Sequence, residues 1–347
     1  MSTSSRPVPS EAERAAAMTM LRMIWGIHIS RVVHVVAKLG IADLLAAGPV
    51  SSAELAKATG THQQSLYRVL RLLAALDVFE EVEPGTFGLT ELGNRLRSDA
   101  PASMRSWATF LVGGVQPYEH ILETVQTGTP GIDIAYGMGL FEYVSQDPDG
   151  AARFDAAMSE RTAAVAPSVA SAYDFSSFRS IVDVGGNQGT LLAEILRRNP
   201  HLHGIVFDTP AVLARAGTRP GINGAADLDG RYDRLAGDFF EQVPAGGDCY
   251  ILSNILHDWD DERAITILRN CRQSMARAGK VLIVERLIPD KDGDPVPTLL
   301  SDINMLINTG GRERTNAEYG GLLAAADLRI GIVRQVAFPY GIIEGLS

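Results

Sequence analysis

Cysteine is nearly missing from this chain: only Cys249 and Cys271 occur in 347 residues. Neither has Cys or His neighbours at metal-ligand spacing, which excludes a disulfide framework and a structural zinc site. A reducing, cytoplasmic setting is the matching expectation. Positive charge is also in short supply, with 31 Lys and Arg against 41 Asp and Glu, a net charge of -10 and a pI near 5.2. Sequence-independent nucleic-acid binding needs clustered cations and is not expected. Long apolar runs are missing too. The most hydrophobic stretch, MLRMIWGIHISRVVHVVAKLGIADLL, is broken by Arg22, Arg31 and Lys38 before it reaches the roughly 18 uninterrupted residues of a membrane span. The opening MSTSSRPVPS carries no apolar core or small-residue cleavage site, so residues 1–10 read as a disordered tail and not as a secretory signal.

What is present is a chain long enough for two domains, with 46% hydrophobic residues to fill them. Between Ala15 and Leu45 apolar residues recur at helical spacing, among them Leu21, Ile24, Val32, Val35, Val36 and Leu39. These helices carry more apolar surface than a solvated exterior accepts, which points to packing within their own domain, to a subunit interface, or to both. From Ser51 the order becomes a capped short helix closed by Gly60, a second helix over THQQSLYRVLRLLAALDV, and a hairpin turning at Pro84 and Gly85. Helix, turn, helix, hairpin is the winged-helix order. Gln63, Gln64, Arg68 and Arg71 are placed to face a DNA groove, but Glu80, Glu81 and Glu83 on the wing repel phosphates.

Residues 102–176 read as further helices. From Ser180 the texture changes to short β-branched runs alternating with amphipathic helices: SIVDV, LLAEILRR, GIVFD, CYILSN, AITILRNCRQSM and KVLIVE. That alternation predicts an α/β domain built on a doubly wound parallel sheet, with LRIGIVRQVAF and GIIEGL returning as an antiparallel hairpin at one edge. Ligands of such sheets bind at the carboxyl ends of the strands, so residues at those ends are the candidates for chemistry.

Four strand ends stand out. VDVGGNQGT places Asp183, Gly185, Gly186 and Gly189 at the first turn; a dinucleotide fingerprint would need glycine at Val184, so pyrophosphate binding is not demanded. Asp208 in VFDTP offers two acceptor oxygens to ribose hydroxyls, or simply a cap for the helix after Pro210. AGDFF puts Asp238 and Phe239 where an amino group and a purine ring are met. YILSNILHDWDD ends a buried strand in Ser253 and Asn254 and places His257 in the following loop. Asp260 and Asp261 there read as a helix start, although Asp258, Asp260 and Asp261 are also a carboxylate cluster of the kind a metal-dependent catechol mechanism needs.

Together VDVGG, FDTP, GDFF, ILHDW, VLIVE and GGRERT, in this order, resemble the small-molecule O-methyltransferases that use S-adenosylmethionine, including plant phenolic and bacterial polyketide or phenazine enzymes. The resemblance covers nearly the whole chain. It implies a class I Rossmann-like methyltransferase domain over 177–347, a winged-helix-like domain over 11–101 that serves dimerisation, and a helical segment over 102–176 that helps form the acceptor pocket. It further implies a homodimer without nucleic-acid or membrane partners, S-adenosylmethionine as cofactor with S-adenosylhomocysteine as product, no metal, and a role in secondary metabolism. Carried onto this sequence, Gly185 contacts the methionine part of the cofactor, Asp208 the ribose, and Asp238 with Phe239 the adenine; His257 is the base, flanked by Glu285 and Glu313; Met158 and Met305 line the pocket of an aromatic acceptor.

Two positions depart from the family pattern. Asn187 stands where the glycine loop usually has its second glycine, and Asn tolerates left-handed backbone better than other side chains. Ser253 stands where plant members often have lysine; a hydroxyl there still reaches the cofactor through a hydrogen bond. A histidine suits proton abstraction from a phenol because its ordinary pKa of about 6.5 leaves it largely neutral near pH 7. A carboxylate on its other nitrogen fixes the tautomer, a task open to either glutamate. Read without the resemblance, Glu285 pairs with Arg286 or Arg314, and Glu313 sits in a solvated turn between Arg312 and Arg314.

Overall fold

Ser10, the end of the expected tail, caps the first helix: its hydroxyl accepts from the Glu13 N–H, and the Glu13 carboxylate accepts from the Ser10 N–H. The rest of that expectation, residues 1–8, lies outside the residues this computed structural model describes, which are 9–101, 103–111, 114–218, 228, 230–289 and 293–347. The chain divides into two compact units, Met1–Gly113 and Gly114–Ser347.

The first unit opens with α1 (Glu11–Ile24) and α2 (Gly26–Leu39), followed by α3 (Ile41–Leu44), β1 (Val50–Ser51), α4 (Ser52–Thr59), α5 (Gln63–Ala74), β2 (Phe79–Glu83), β3 (Thr86–Leu89), α6 (Glu91–Asn94) and α7 (Arg105–Leu111). Ser51 and Glu54 form a capping box at the start of α4, and Gly60, left-handed at φ +64°, ends it. Leu66, Leu70 and Leu73 bury one face of α5 against Val36, Ile41, Leu55, Phe79 and Phe87. The hairpin β2–β3 turns at Gly85 and is joined by β1, giving the order β1-β3-β2. The sequence groups α7 with the middle helices, but in the structure it belongs to the first unit. The tie is Arg105, whose Nε donates to the Ala37 carbonyl at 3.0 Å and whose Nη1 meets Asp43 at 2.5 Å, a link that hydrophobic periodicity does not reveal. Among the described residues no single helix is long and apolar enough to cross a membrane; α1 and α2 meet that measure only as a pair bent by 41°.

The second unit begins with α8 (Gln116–Glu119), α9 (Ile121–Thr127), α10 (Gly131–Tyr136), α11 (Leu140–Ser145) and α12 (Pro148–Ala172). It continues with β4 (Ser180–Val184), α13 (Thr190–Arg198), β5 (His203–Asp208), α14 (Pro210–Thr218), β6 (Tyr232–Ala236), β7 (Cys249–Ser253), a 3-10 turn (Leu256–Asp258), α15 (Asp261–Ser274), β8 (Lys280–Arg286), α16 (Val296–Asn308), α17 (Asn316–Ala325), β9 (Arg329–Gln335) and β10 (Tyr340–Leu346). The sheet order is β6-β5-β4-β7-β8-β10-β9, with β4 to β8 parallel and β10 antiparallel to both its neighbours. The terminal hairpin is therefore present at one edge of the sheet, with its second strand next to β8 and its first, β9, outermost. Alternate strand residues face opposite layers. Val182, Tyr250, Leu252 and Ile283 pack on Ile267, Leu268, Tyr319 and Leu323, while Ile181, Val206, Ile251 and Leu282 pack on Val169, Leu192 and Ile195. Strand order reverses between β4 and β7, so the crevice at the carboxyl ends of β4, β5 and β7 is the topological switch point.

Candidate active site

The loop after β7 leaves the sheet through Asn254, which is left-handed at φ +54° and accepts at its Oδ1 from the Tyr340 hydroxyl at 3.1 Å. The next three residues turn so tightly that their N–H groups converge on one carboxylate oxygen. Glu285 Oε1 accepts from the N–H of Ile255 at 3.0 Å, of Leu256 at 2.9 Å and, more weakly, of His257 at 3.4 Å. From the other side the wholly buried Arg314 donates to the carbonyls of Leu256 at 3.0 Å and Trp259 at 2.8 Å, and grips Asp261 through Nε and Nη2. Asp260 caps α15 by accepting from the Arg263 N–H at 2.8 Å, whereas Asp261 is claimed by Arg314 and Arg312. The acid pair thus serves the loop and the helix start. Gly311 completes the fit, because a Cβ there would lie 2.1 Å from the His257 carbonyl oxygen.

His257, 1% exposed, is held in this loop against two fully buried carboxylates. Its Nδ1 lies 3.0 Å from Glu313 Oε1 and 3.5 Å from Glu285 Oε2; its Nε2 faces Asp258 Oδ1 at 3.7 Å, beyond hydrogen-bond range. Burial alone would lower the ring's pKa, but the charges of Glu285, Glu313 and Asp258 outweigh it and raise the value to about 9. Burial lifts Glu285 to about 7 despite the opposing imidazolium. Glu313 moves the other way: burial is overcome by the charge and hydrogen bond of His257, a hydrogen bond from Ser301 and the charge of Arg286. The two glutamates, equivalent in sequence, therefore differ: Glu313 orients the ring and Glu285 holds the backbone that carries it. Neither forms the surface ion pair that its arginine neighbours suggest. The donor atoms of His257, Glu285 and Glu313 lie within 4.8 Å of one another. Protons already join them, from Nδ1 to Glu313 and from the backbone to Glu285.

At the neighbouring strand ends the glycine loop runs Gly185 (φ +70°), Gly186, Asn187 (φ +50°) and Gly189 (φ +76°), so Asn187 adopts the left-handed conformation its residue type allows. Its N–H donates to Asp208 Oδ2 at 2.8 Å, and Thr209 donates its N–H to Asp208 Oδ1 at 2.7 Å. Capping of α14 falls to Thr209, whose carbonyl accepts from Leu213, and Asp208 is left at the crevice, half-buried. A Cβ on Gly185 would come 2.4 Å from Ile255 Cδ1 and 3.7 Å from Phe239 Cε1, which brings the β4, β6 and β7 ends together over bare backbone. Asp238 is exposed and accepts at Oδ1 from the Phe240 N–H at 2.8 Å, and Ser253 accepts from the Asn254 amide at 3.3 Å. Asp183, buried beneath the loop, is raised to about 7 by burial and then by Asp208. Asn187 Oδ1 is buried without a partner. Bare backbone at Gly185, an unpaired acceptor at Asn187 and carboxylates at Asp208 and Asp238 suit a nucleoside with hydroxyl and amino donors, as S-adenosylmethionine has.

Of the two methionines expected to line an acceptor pocket, Met305 is buried on α16 and Met158 is half-buried on α12. Phe141 stacks on Trp259 with ring centres 5.4 Å apart and meets Phe154 edge-on at 6.3 Å. Tyr118 donates to Asn304 Oδ1 at 2.6 Å, and Asn308 reaches the same oxygen at 3.0 Å. Tyr143 stacks on Tyr136. Sequence reading missed Ser301, Asp302 and Trp259, and it offered Arg314 only as an ion-pair partner for Glu285, not as the residue that holds the loop.

Residues 118–329 match the O-methyltransferase domain and residues 21–99 the O-methyltransferase dimerisation domain. The chain belongs to the O-methyltransferase family. It is a member that uses S-adenosylmethionine, with the Rossmann-like sheet of class I methyltransferases. The chain is 42% identical to the phenazine O-methyltransferase of Lysobacter antibioticus over 96% of its length and 98% of the relative's. A crystal structure titled LaPhzM superposes with a TM-score of 0.88 at 40% identity, covering 98% of this chain and 99% of the other. The O-methyltransferase from neocarzinostatin biosynthesis, solved with S-adenosyl-L-homocysteine and 1,4-dihydroxy-2-naphthoic acid, superposes at 0.76 with 35% identity over 91% of this chain and 95% of the other.

Proposed function

We propose that this O-methyltransferase methylates a hydroxyl of an aromatic small molecule of secondary metabolism, of phenol, polyketide, quinone or phenazine type, as a metal-independent homodimer with His257 as general base. One observation carries the reading: the buried imidazole is tied through Nδ1 to Glu313 at 3.0 Å while Nε2 makes no hydrogen bond among the described residues. In its neutral form a ring so held has its tautomer chosen for it, with Nδ1 protonated and Nε2 free to accept; because the flanking carboxylates raise its pKa to about 9, that form, and turnover with it, grows as pH rises toward 9.

S-adenosylmethionine supplies, when bound, an electrophilic methyl group on a sulfonium. Gly185, Asp208, Asp238, Phe239 and Ser253 would hold it at the switch point. A phenol near pKa 10 is a weak nucleophile at neutral pH, and Nε2 of His257 takes its proton as the oxygen reacts. Glu313, with Glu285 and Asp258 behind it, stabilises the imidazolium that results. Met158 and Met305, together with Phe141 and Trp259, offer a soft, flat wall to an aromatic ring. Metal is unnecessary in this scheme because the carboxylates are already occupied in orienting the base and its loop. The relatives named for phenazine and naphthoate substrates support the aromatic acceptor.

The test is turnover with labelled S-adenosylmethionine and a panel of hydroxylated naphthoates, quinones and phenazines, with mass spectrometry locating the methyl. His257→Ala is expected to bind S-adenosylhomocysteine within a few-fold of the parent and to lose about 10² to 10⁴ in kcat. Unchanged turnover in that variant would remove the base, and activity lost to EDTA and restored by a divalent ion would remove the metal-independent scheme.

A further inference from the structure

Mid-helix hydroxyls usually fold back on their own helix, and this chain follows the habit: Thr19, Ser30, Thr162 and Thr266 each donate to the carbonyl four residues earlier. Ser301 on α16 does not. Its Oγ reaches across to Glu313 Oε1 at 2.6 Å, the oxygen that also receives His257 Nδ1. The next residue, Asp302, accepts the Glu313 backbone N–H at 2.9 Å. Glu313 Oε2 is buried with no partner, so both hydrogen bonds on this carboxylate fall on one oxygen, and one of them is Ser301's.

Building on the general-base reading of His257, we infer that Ser301 and Asp302 are positioning residues for the His257–Glu313 pair, clamping Glu313 by side chain and main chain so that, in the neutral ring, the proton stays on Nδ1 and Nε2 is the accepting nitrogen. The clamp also joins the base to the acceptor wall, since the same helix carries Met305 one turn on. A carboxylate oxygen that receives two donors is a weaker base than one that receives a single donor. Removing the Ser301 hydroxyl concentrates charge on Glu313, tightens the hold of His257 on its proton and moves the acidic limb of turnover to higher pH. The charged and titratable groups around Glu313 are His257 and Asp258 from the 3-10 turn, Glu285 and Arg286 from β8, Asp302 from α16 with Arg312 beside it, and Tyr319 from α17. Apart from the paired His257, Ser301 is the one neutral group bonded to the Glu313 carboxylate among the described residues.

The experiment is kcat against pH for the full-length protein and its Ser301→Ala, Ser301→Thr and His257→Gln variants, with S-adenosylhomocysteine affinity measured by calorimetry. Ser301→Ala is expected to lose roughly ten-fold in kcat near neutral pH, in line with one charge-assisted hydrogen bond. Its acidic limb should move up by about half a pH unit or more, its S-adenosylhomocysteine affinity should stay within two-fold, and Ser301→Thr should restore the parent profile. A loss of equal size at every pH, no loss at all, or a Thr variant no better than Ala overturns the proposal. His257→Gln separates this outcome from failure of the base: an inactive Gln variant beside indifferent Ser301 variants removes only the clamp, and an active Gln variant removes the general base beneath it. Asp302→Ala gives a second arm should Ser301→Ala fold poorly; it is expected to lower kcat more than it changes KM for the acceptor, and an unchanged kcat overturns the role of Asp302.

Discussion

At the level of single residues, the division of labour between the glutamates makes unlike predictions for like substitutions. Glu313→Gln keeps an oxygen for Nδ1–H but removes the charge that stabilises the imidazolium, so kcat is expected to fall by about 10² or more while the acidic limb moves to lower pH. Glu285→Ala strips the acceptor from the backbone N–H groups of Ile255, Leu256 and His257 and is expected to cost about 1–3 kcal/mol of stability per buried donor left unpaired. Thermal melting of the two variants distinguishes the roles. His257, Glu285 and Glu313 were all legible in the sequence through the family resemblance; their division of labour was not, because it turns on which oxygen meets which proton across residues 28 and 56 positions apart. The pH dependence of stability follows with a definite sign. The folded pKa of His257, about 9, exceeds the ordinary value of 6.5, so its contribution is complete below about 6.5 and is lost as pH rises through 9. Glu285 and Asp183, both raised to about 7, resist ionisation when folded and so lose stability over the lower window up to that pH. Melting temperature of the ligand-free protein should therefore fall from pH 6.5 to 9, and His257→Gln should flatten that slope; an unchanged slope would count against the raised imidazole.

Among the secondary-structure elements, the loop between β7 and α15 is held by a cation that the sequence offered only as an ion-pair partner for Glu285. Arg314 follows Glu313 in the chain, yet its guanidinium turns under the loop to reach Leu256, Trp259 and Asp261. Its planar fork serves several acceptors at once, which an ammonium cannot copy. Arg314→Lys is expected to lower kcat with little change in the affinity for S-adenosylhomocysteine and to speed hydrogen exchange at Leu256 and His257; exchange as slow as in the parent would deny the clamp. The strands were readable because SIVDV, CYILS and KVLIVE are short, nearly unbroken apolar runs, buried along almost their whole length as strands covered on both faces are. The insertion of β10 between β8 and β9 was not, since an antiparallel hairpin can dock on a sheet through either of its strands and only the pairing of β10 with β8 from Tyr340 to Leu346 decides. The glycine loop was legible through residue type: Asn187 at φ +50° occupies a conformation costing other non-glycine residues about 1–2 kcal/mol.

For the molecule as a whole, apolar surface that finds no cover within its own unit points to a second copy. Helix α1 buries none of its residues, and Met23, Ile24 and Ile27 are 69%, 64% and 57% exposed. The sequence showed too much apolar surface on these helices but left open whether it closes inside the domain. In the first unit, Val36 and Ile41 enter the core while α1 does not, so periodicity alone did not separate the covered stretch from the open one. Monomers seldom leave such a contiguous patch bare, and the segment lies in the stretch that matches the dimerisation domain. Burial of each large side chain contributes about 1.5–3 kcal/mol, and a two-fold axis counts every contact twice. A charge placed there is therefore felt on both sides of the interface. Ile24→Asp with Ile27→Asp is expected to convert a dimer into a monomer by light scattering while the circular dichroism spectrum is kept. A double variant that remains dimeric at low micromolar concentration would place the interface on another surface, and a parent protein that is monomeric would remove the homodimer altogether.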